Sequence, residues 1–226
     1  MTRFERLFVW AGGALFVASL AVCASRYLFV WNSPDEVHLD AVAVNALLFG
    51  LFAMHHSVFA RERVKARVAR LVPERLLRSV YVWTASALLL LVCALWRPVG
   101  GEIYHVTGWR AVAPALVQLG GVWLIAASVR AIDPLELAGI RPQAARDALQ
   151  ITRPYRWVRH PLYLGWMLAS FGAAHMTGNR LAFAAITSIY LLVAVPWEER
   201  SLRQSFGEDY ATYTRRVKWR IVPFVY

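Results

Sequence analysis

The chain is poor in acid and poorer still in cysteine. Against 25 Lys and Arg it has 14 Asp and Glu, so 226 residues carry a formal net charge of +11. Its two cysteines, Cys23 and Cys93, sit inside apolar runs without metal-type spacing. They read as packing residues, and neither a disulfide framework nor a metal site is indicated. No Gly-rich strand–turn–helix fingerprint occurs, which excludes the usual dinucleotide cradle. No repeat or low-complexity stretch is evident, and the inverted-repeat or broken-helix pattern of a transporter is missing. Nor is there room for a large domain outside the apolar runs.

What is present is apolar. Hydrophobic residues make up 58% of the chain, with 10 Trp. That content conflicts with +11 in a soluble domain of this length and fits a polytopic membrane protein with basic loops. The cations lie at the ends of apolar runs, so anionic membrane lipid is the expected partner and nucleic acid is not. No required protein partner is indicated.

Six apolar runs follow in order. Residues 7–25 are uncharged and long enough to cross a bilayer. With Arg3 and Arg6 they resemble a signal peptide with a cleavage site near Ala24, and an uncleaved first span is the expectation. Tyr27 and Trp31 form an interfacial belt, and an acidic loop with Asp35, Glu36 and Asp40 precedes the second run, 41–60, which ends in His55, His56 and Ser57. Residues 61–78 hold seven Lys and Arg. They predict an interfacial helix with Val64, Val68 and Leu71 on one face, stopped near Pro73. Runs 79–96 and 111–129 are joined by a Gly-rich loop at Gly100 and Gly101. After the polar connection 130–159, runs 161–177 and 181–197 are joined only by Gly178, Asn179 and Arg180, as a helical hairpin. The expected fold is all-α, a single membrane domain over 1–226 with five to six transmembrane helices. Residues 1–131 form its N-terminal helices and 132–226 its second half. Cation counting places both termini in the cytoplasm of a bacterial inner membrane.

The stretch Arg153–Gly165 organises the chain. Pro161 suits the first turn of a helix, with His160 beside the cap. Free amides there, with Arg156, Arg159 and His160, predict an anion site; the plainer reading is a cationic membrane boundary. Both outer ends of the hairpin lie at one membrane face, which brings Arg159 and His160 to Glu198 and Glu199. Taken alone, the two glutamates read as a salt-bridge rim. Together with the cations they suit a zwitterion. S-adenosylmethionine carries a carboxylate, an ammonium and a sulfonium, and Tyr155, Trp157, Tyr163, Tyr210 and Tyr213 are available to stack its adenine or face its sulfonium.

The segments Arg159-His160-Pro161-x-Tyr163-x-Gly165 and Glu198-Glu199-x-x-Leu202-x-x-x-Phe206-Gly207-x-x-Tyr210-x-x-Tyr213 resemble the cofactor half of the isoprenylcysteine carboxyl methyltransferase superfamily, across roughly the last third of the chain. The resemblance implies an integral membrane methyltransferase that uses S-adenosylmethionine and releases S-adenosylhomocysteine. It implies Arg159 and His160 on the cofactor carboxylate and Glu198 or Glu199 on its amino or ribose groups. Tyr155, Val158, Pro161, Tyr163, Gly165 and Tyr210 would complete the pocket. His56-Ser57-x-x-Ala60-Arg61, Pro73-Glu74-Arg75-x-x-Arg78-Ser79-x-Tyr81-Val82 and Trp96-Arg97-Pro98 are similar to bacterial methanethiol S-methyltransferases and related NnrU-like proteins. Where those enzymes carry Asp-Leu-Phe-Gly-Leu-Arg-Gln, this chain has Glu136-Leu137-Ala138-Gly139-Ile140-Arg141-Pro142-Gln143, without the aromatic and with an added Pro.

Methyl transfer from a sulfonium is an in-line displacement that needs alignment and exclusion of water. A thiol acceptor must also reach its thiolate form. His56, Arg141 and Glu136 are the candidate catalytic residues; His55 reads as an interfacial hydrogen-bonding group and Asp133 as a helix cap. His105 and His175 fall on the outer side, away from the cofactor. Three functions are weighed. They are a methyltransferase for a small thiol such as methanethiol or hydrogen sulfide, a methyltransferase for a lipid or other lipophilic carboxylate acceptor, and an NnrU-like accessory protein without turnover.

Overall fold

A computed structural model describes residues 1–33, 36–59, 61–141, 149 and 151–226. It contains two compact units, and the chain changes unit three times. The first holds residues up to Gly101 together with the described segment 133–141; the second holds 102–132 and the described residues from 149 onward. The fourth long helix packs with the C-terminal elements.

In the first unit, α1 (Arg3–Ser25) opens on a reciprocal cap. Glu5 N donates to Thr2 Oγ1 at 3.2 Å and Thr2 N to Glu5 Oε2 at 2.8 Å, which satisfies two otherwise orphaned amides. A π-helical turn, Arg26–Val30, extends it. α2 (Asp40–Phe59) and α4 (Glu74–Leu95) complete the long helices of this unit. α1 lies along α4 where Gly12 admits Trp83, whose indole donates to Phe8 O at 3.0 Å. Fully buried Asn45 of α2 exchanges two bonds with the backbone of Arg97, at 2.8 and 2.9 Å, and so fixes the exit from α4. The basic segment is a shorter helix than expected. α3 is Glu62–Val68, Leu71 lies beyond it and is exposed, and Pro73 caps α4, so Arg75 and Arg78 belong to α4. Proline fits that place because the first turn needs no amide there.

The short helix α6 (Pro134–Leu137) and the turn after it also belong to this unit. Asp133 Oδ1 accepts from Leu135 N at 2.9 Å, the capping role expected of it. Gly139 adopts φ 70°, a left-handed conformation that glycine tolerates, and a Cβ there would press on Val82 at 2.9 Å. Ser79 Oγ then donates to Gly139 O at 2.6 Å, which seats the turn on α4.

In the second unit, β1 (Glu102–His105) precedes α5 (Val112–Ile132). α7 (Pro161–Phe171), β2 (His175–Thr177) and α8 (Gly178–Arg216) follow. α5 and α7 run antiparallel and touch through glycine. A Cβ on Gly121 would lie 2.4 Å from Ala169 N, and one on Gly165 2.9 Å from Gly121 O. Helix backbones approach this closely only without side chains between them.

The expected fifth apolar run, 161–177, is not one helix. α7 has 11 residues, a rise of about 16 Å, well short of the ~30 Å of a hydrocarbon core. Gly172–Ala174 form an irregular link that starts at the helix cap, and β2 after it pairs antiparallel with β1. Gly178, Asn179 and Arg180 are not the hairpin turn but the first turn of α8, capped by Thr177 Oγ1. α8 also runs past Trp197, through Pro196, and breaks at Gly207 (φ 50°, ψ −120°) before ending at Arg216. Among the described residues, five helical stretches are long and apolar enough to cross a membrane: Arg3–Val30, Asp40–Phe59, Glu74–Leu95, Gly108–Ile132 and Gly178–Arg216.

Candidate active site

The second unit gathers Arg159, His160, Glu198 and Glu199 at one end of the α7–α8 pair. Arg159 Nε stands 3.0 Å from Glu199 Oε1, and His160 Nε2 stands 3.5 Å from the same oxygen. His160 Nδ1 is 3.5 Å from Glu198 Oε2. The hydroxyl of Tyr163 donates to Glu198 Oε1, and its ring stacks on His160 with centroids 5.3 Å apart. A third cation joins them, since Arg220 Nε lies 3.3 Å from Glu199 Oε2. The backbone sets this arrangement. Arg159 N donates to Trp219 O at 3.0 Å and His160 N to Arg220 O at 2.7 Å, so the segment after α8 is laced to the segment before α7.

Glu199 is 3% exposed and His160 7%. Burial alone would lower the His160 pKa, but the close carboxylates of Glu198 and Glu199 outweigh it and hold the imidazole above its ordinary 6.5. Ion pairing is close, yet hydrogen-bonding capacity is unspent. Arg159 Nε, His160 Nε2, Glu199 Oε1 and the Tyr210 hydroxyl are buried without a hydrogen-bond partner, because distance alone does not give the required angles. Native interiors leave few such atoms, and four of them around one carboxylate fit a polar ligand that carries donors and acceptors. An anion would meet Arg159 and His160, and an ammonium would meet Glu199.

The other expected pocket residues divide. Val158 and Pro161 are buried, and the Tyr155 carbonyl accepts from the Tyr213 hydroxyl at 2.7 Å. Tyr210 is 1% exposed and packs with Tyr213 and Val217. Gly165 makes the α5 contact described above, a packing role that its place in the motif did not reveal. Trp157 is exposed and leans on Trp123 of α5, and Arg156 Nε donates to Ile151 O at 3.3 Å. The helix start holds fewer free amides than expected. Tyr163 N and Leu164 N both donate to the His160 carbonyl, at 3.1 and 3.2 Å, so any anion there is held mainly by side chains. Arg220 is the residue sequence reasoning missed. Its signal was the cation cluster Lys218-Trp219-Arg220, which had been counted only toward topology.

The candidate catalytic residues lie in the first unit. His56 shares a hydrogen bond with the Tyr81 hydroxyl. Arg78 lies 5.0 Å over the Tyr81 ring and donates from Nε to the Glu136 carbonyl at 3.1 Å. Tyr81 and Arg78 of α4 therefore link His56 to buried Glu136. Arg141 turns elsewhere and pairs with Asp133 at 3.2 Å on an exposed surface. Ala60, Pro142 and Gln143, all part of the sequence motifs, lie outside the described residues.

The phospholipid methyltransferase family model matches residues 109–209, the stretch that contains both the His160 and the Glu199 segments. Methanethiol S-methyltransferase 1 of Bradyrhizobium diazoefficiens is 38% identical over 199 residues, 84% of this chain and 70% of that protein. The chain belongs to the same family as the methanethiol S-methyltransferases. Another member, from Crocosphaera subtropica, is 36% identical over 86% of this chain and 79% of its own. Nurim of Danio rerio is 32% identical over 83% and 79%. No solved structure matches. Membership makes the chain a multi-pass membrane methyltransferase by family and implies a methyl donor.

Proposed function

We propose that the chain transfers a methyl group from S-adenosylmethionine to a small thiol, converting methanethiol to dimethyl sulfide or hydrogen sulfide to methanethiol. The observation that carries this reading is the buried, two-signed cluster of Arg159, His160, Glu199 and Arg220 with unspent hydrogen-bonding atoms. When bound, S-adenosylmethionine supplies an electrophilic methyl group on a sulfonium and leaves as S-adenosylhomocysteine. Arg159 and protonated His160 hold the carboxylate, and Glu198 and Glu199 hold the ammonium or ribose hydroxyls. Tyr163 keeps Glu198 in place. Burial strengthens each of these contacts and excludes the water that would compete for the methyl group. His56, Glu136 and Arg141 are the proposed catalytic residues for the thiol proton, with His56 and Glu136 positioned through Tyr81 and Arg78.

The relatives named as methanethiol S-methyltransferases support the acceptor. Counting cations supports a bacterial inner membrane, with both termini and the His160 end of α8 on the cytoplasmic side. A lipid acceptor is the second reading, favoured by the phospholipid methyltransferase match. Methyl-labelled S-adenosylmethionine, supplied with methanethiol and membrane lipid to the purified protein, separates the two. Label in headspace dimethyl sulfide supports the thiol reading, and label in the lipid extract replaces it with the second. Label in neither, with a folded protein, leaves an accessory protein.

A further inference from the structure

At the start of α8, well before Glu198 and Glu199, the strand pair assembles a second polar cluster. His105 and His175 face each other across β1 and β2. Glu102 lies three positions before His105, which in a regular strand would put the two on opposite faces. The pairing register shifts between Glu102 and Tyr104, and a bulge of this kind re-aims a side chain by one position. The three residues consequently share a face, and their ligand atoms all lie within 4.8 Å of one another. Glu102 Oε2 is 3.0 Å from His175 Nε2 and 4.0 Å from His105 Nδ1. The imidazole rings lie 4.2 Å apart.

We infer that Glu102, His105 and His175 form a binding site for one divalent transition-metal ion, of which zinc is the best-matched. Zinc with ligands at about 2.0–2.1 Å and tetrahedral angles needs neighbouring ligand atoms about 3.3 Å apart. The two measured Glu–His separations bracket that value, and a small rotation of His105 closes the longer one. Two imidazoles and a carboxylate suit zinc by ligand type, since soft thiolate is missing and a calcium or magnesium shell would require oxygen throughout. The scaffold is already tied down. Val106 N donates to Ala174 O at 2.8 Å, the Tyr104 hydroxyl to Ala173 O at 3.1 Å, and Arg180 Nη1 to His175 O at 2.5 Å. Glu102 and His105 are about half exposed, which leaves an entry path and room for water as the fourth ligand. The cluster lies outside the candidate spans. A bound ion would cross-link the strand before α5 to the strand before α8, closing the end of the unit away from His160.

The test is titration of the full-length, detergent-purified and chelator-treated protein with zinc alone, and separately with cobalt as a spectroscopic probe. One tight zinc per chain is expected, with visible cobalt bands of low coordination number and a rise in thermal midpoint on zinc addition. Glu102→Gln removes an exposed ligand without disturbing the strand pair. Because even second-layer partners of a metal cost 10–100-fold in affinity, this variant is expected to bind at least about tenfold more weakly. It should lose the zinc-dependent rise while keeping the metal-free midpoint. The inference is overturned if wild type binds no zinc, or if Glu102→Gln and a His105→Ala/His175→Ala double variant bind it as well as wild type does.

Discussion

The start and the middle of α8 gather the same residue types and do different things with them. Around Glu198 and Glu199, buried Glu199 and His160 lie beside two guanidinium groups, so both signs are present. At the Gly178 end, one carboxylate meets two imidazoles in the open, with no guanidinium against the carboxylate among the described contacts. A buried, balanced cluster recognises an organic zwitterion by direction as well as charge. A carboxylate beside two imidazoles, open to solvent, suits a cation. Burial and counter-charge, more than residue type, decide the chemistry.

Changes at the buried end should be the most severe. Glu199→Gln leaves Arg159 and Arg220 without their carboxylate, and breaking one partner of a buried pair costs about 3–5 kcal/mol. Thermal unfolding in detergent should show that loss, and zinc binding in whatever folded fraction remains should be unchanged. A packing change should come next. Gly121→Ala places a methyl group against the α7 backbone, and overpacking of this kind costs about 1–3 kcal/mol. It displaces the helix that carries His160, so S-adenosylhomocysteine affinity should fall with stability. At Gly120 no atom lies within 4 Å of a Cβ, so Gly120→Ala should be neutral or stabilising by up to about 1 kcal/mol.

The smallest effect is on pH. His160 is held above 6.5 in the folded protein. Protonated His160 therefore contributes stability that is complete below 6.5 and lost as pH rises through its folded value. The thermal midpoint of wild type should decline across that interval relative to His160→Gln, which lacks the dependence. An identical pH slope in both proteins would remove the charged imidazole from the account.

Much of this was legible in the chain. The apolar runs and their basic ends predict the membrane helices, and a hairpin starting at Pro161 brings Arg159 and His160 to Glu198 and Glu199 because its outer ends must meet. What was hidden depended on register and on distant chain. The strand pair replaced a helix end because residues 172–177 are too few for another membrane-length turn, yet apolar enough to resemble one. A period of helical hydrophobicity says nothing about a bulge, so Glu102, His105 and His175 appeared unrelated. Arg220 reaches Glu199 only because the backbone at 219–220 hydrogen-bonds to 159–160, a pairing that no local pattern announces. Gly165 carried a motif match and turned out to serve close contact with α5.

The most direct measurement is calorimetric titration of the purified protein with S-adenosylhomocysteine, repeated on Glu198→Gln and Glu102→Gln. Glu198 is partly exposed and bonded to Tyr163, so its replacement changes the ligand's partner more than the fold. Wild type and Glu102→Gln should bind alike, and Glu198→Gln about a hundredfold more weakly, near 2.7 kcal/mol. Equal binding by Glu198→Gln, or none by a folded wild type, would contradict a cofactor site around His160, Glu198 and Glu199.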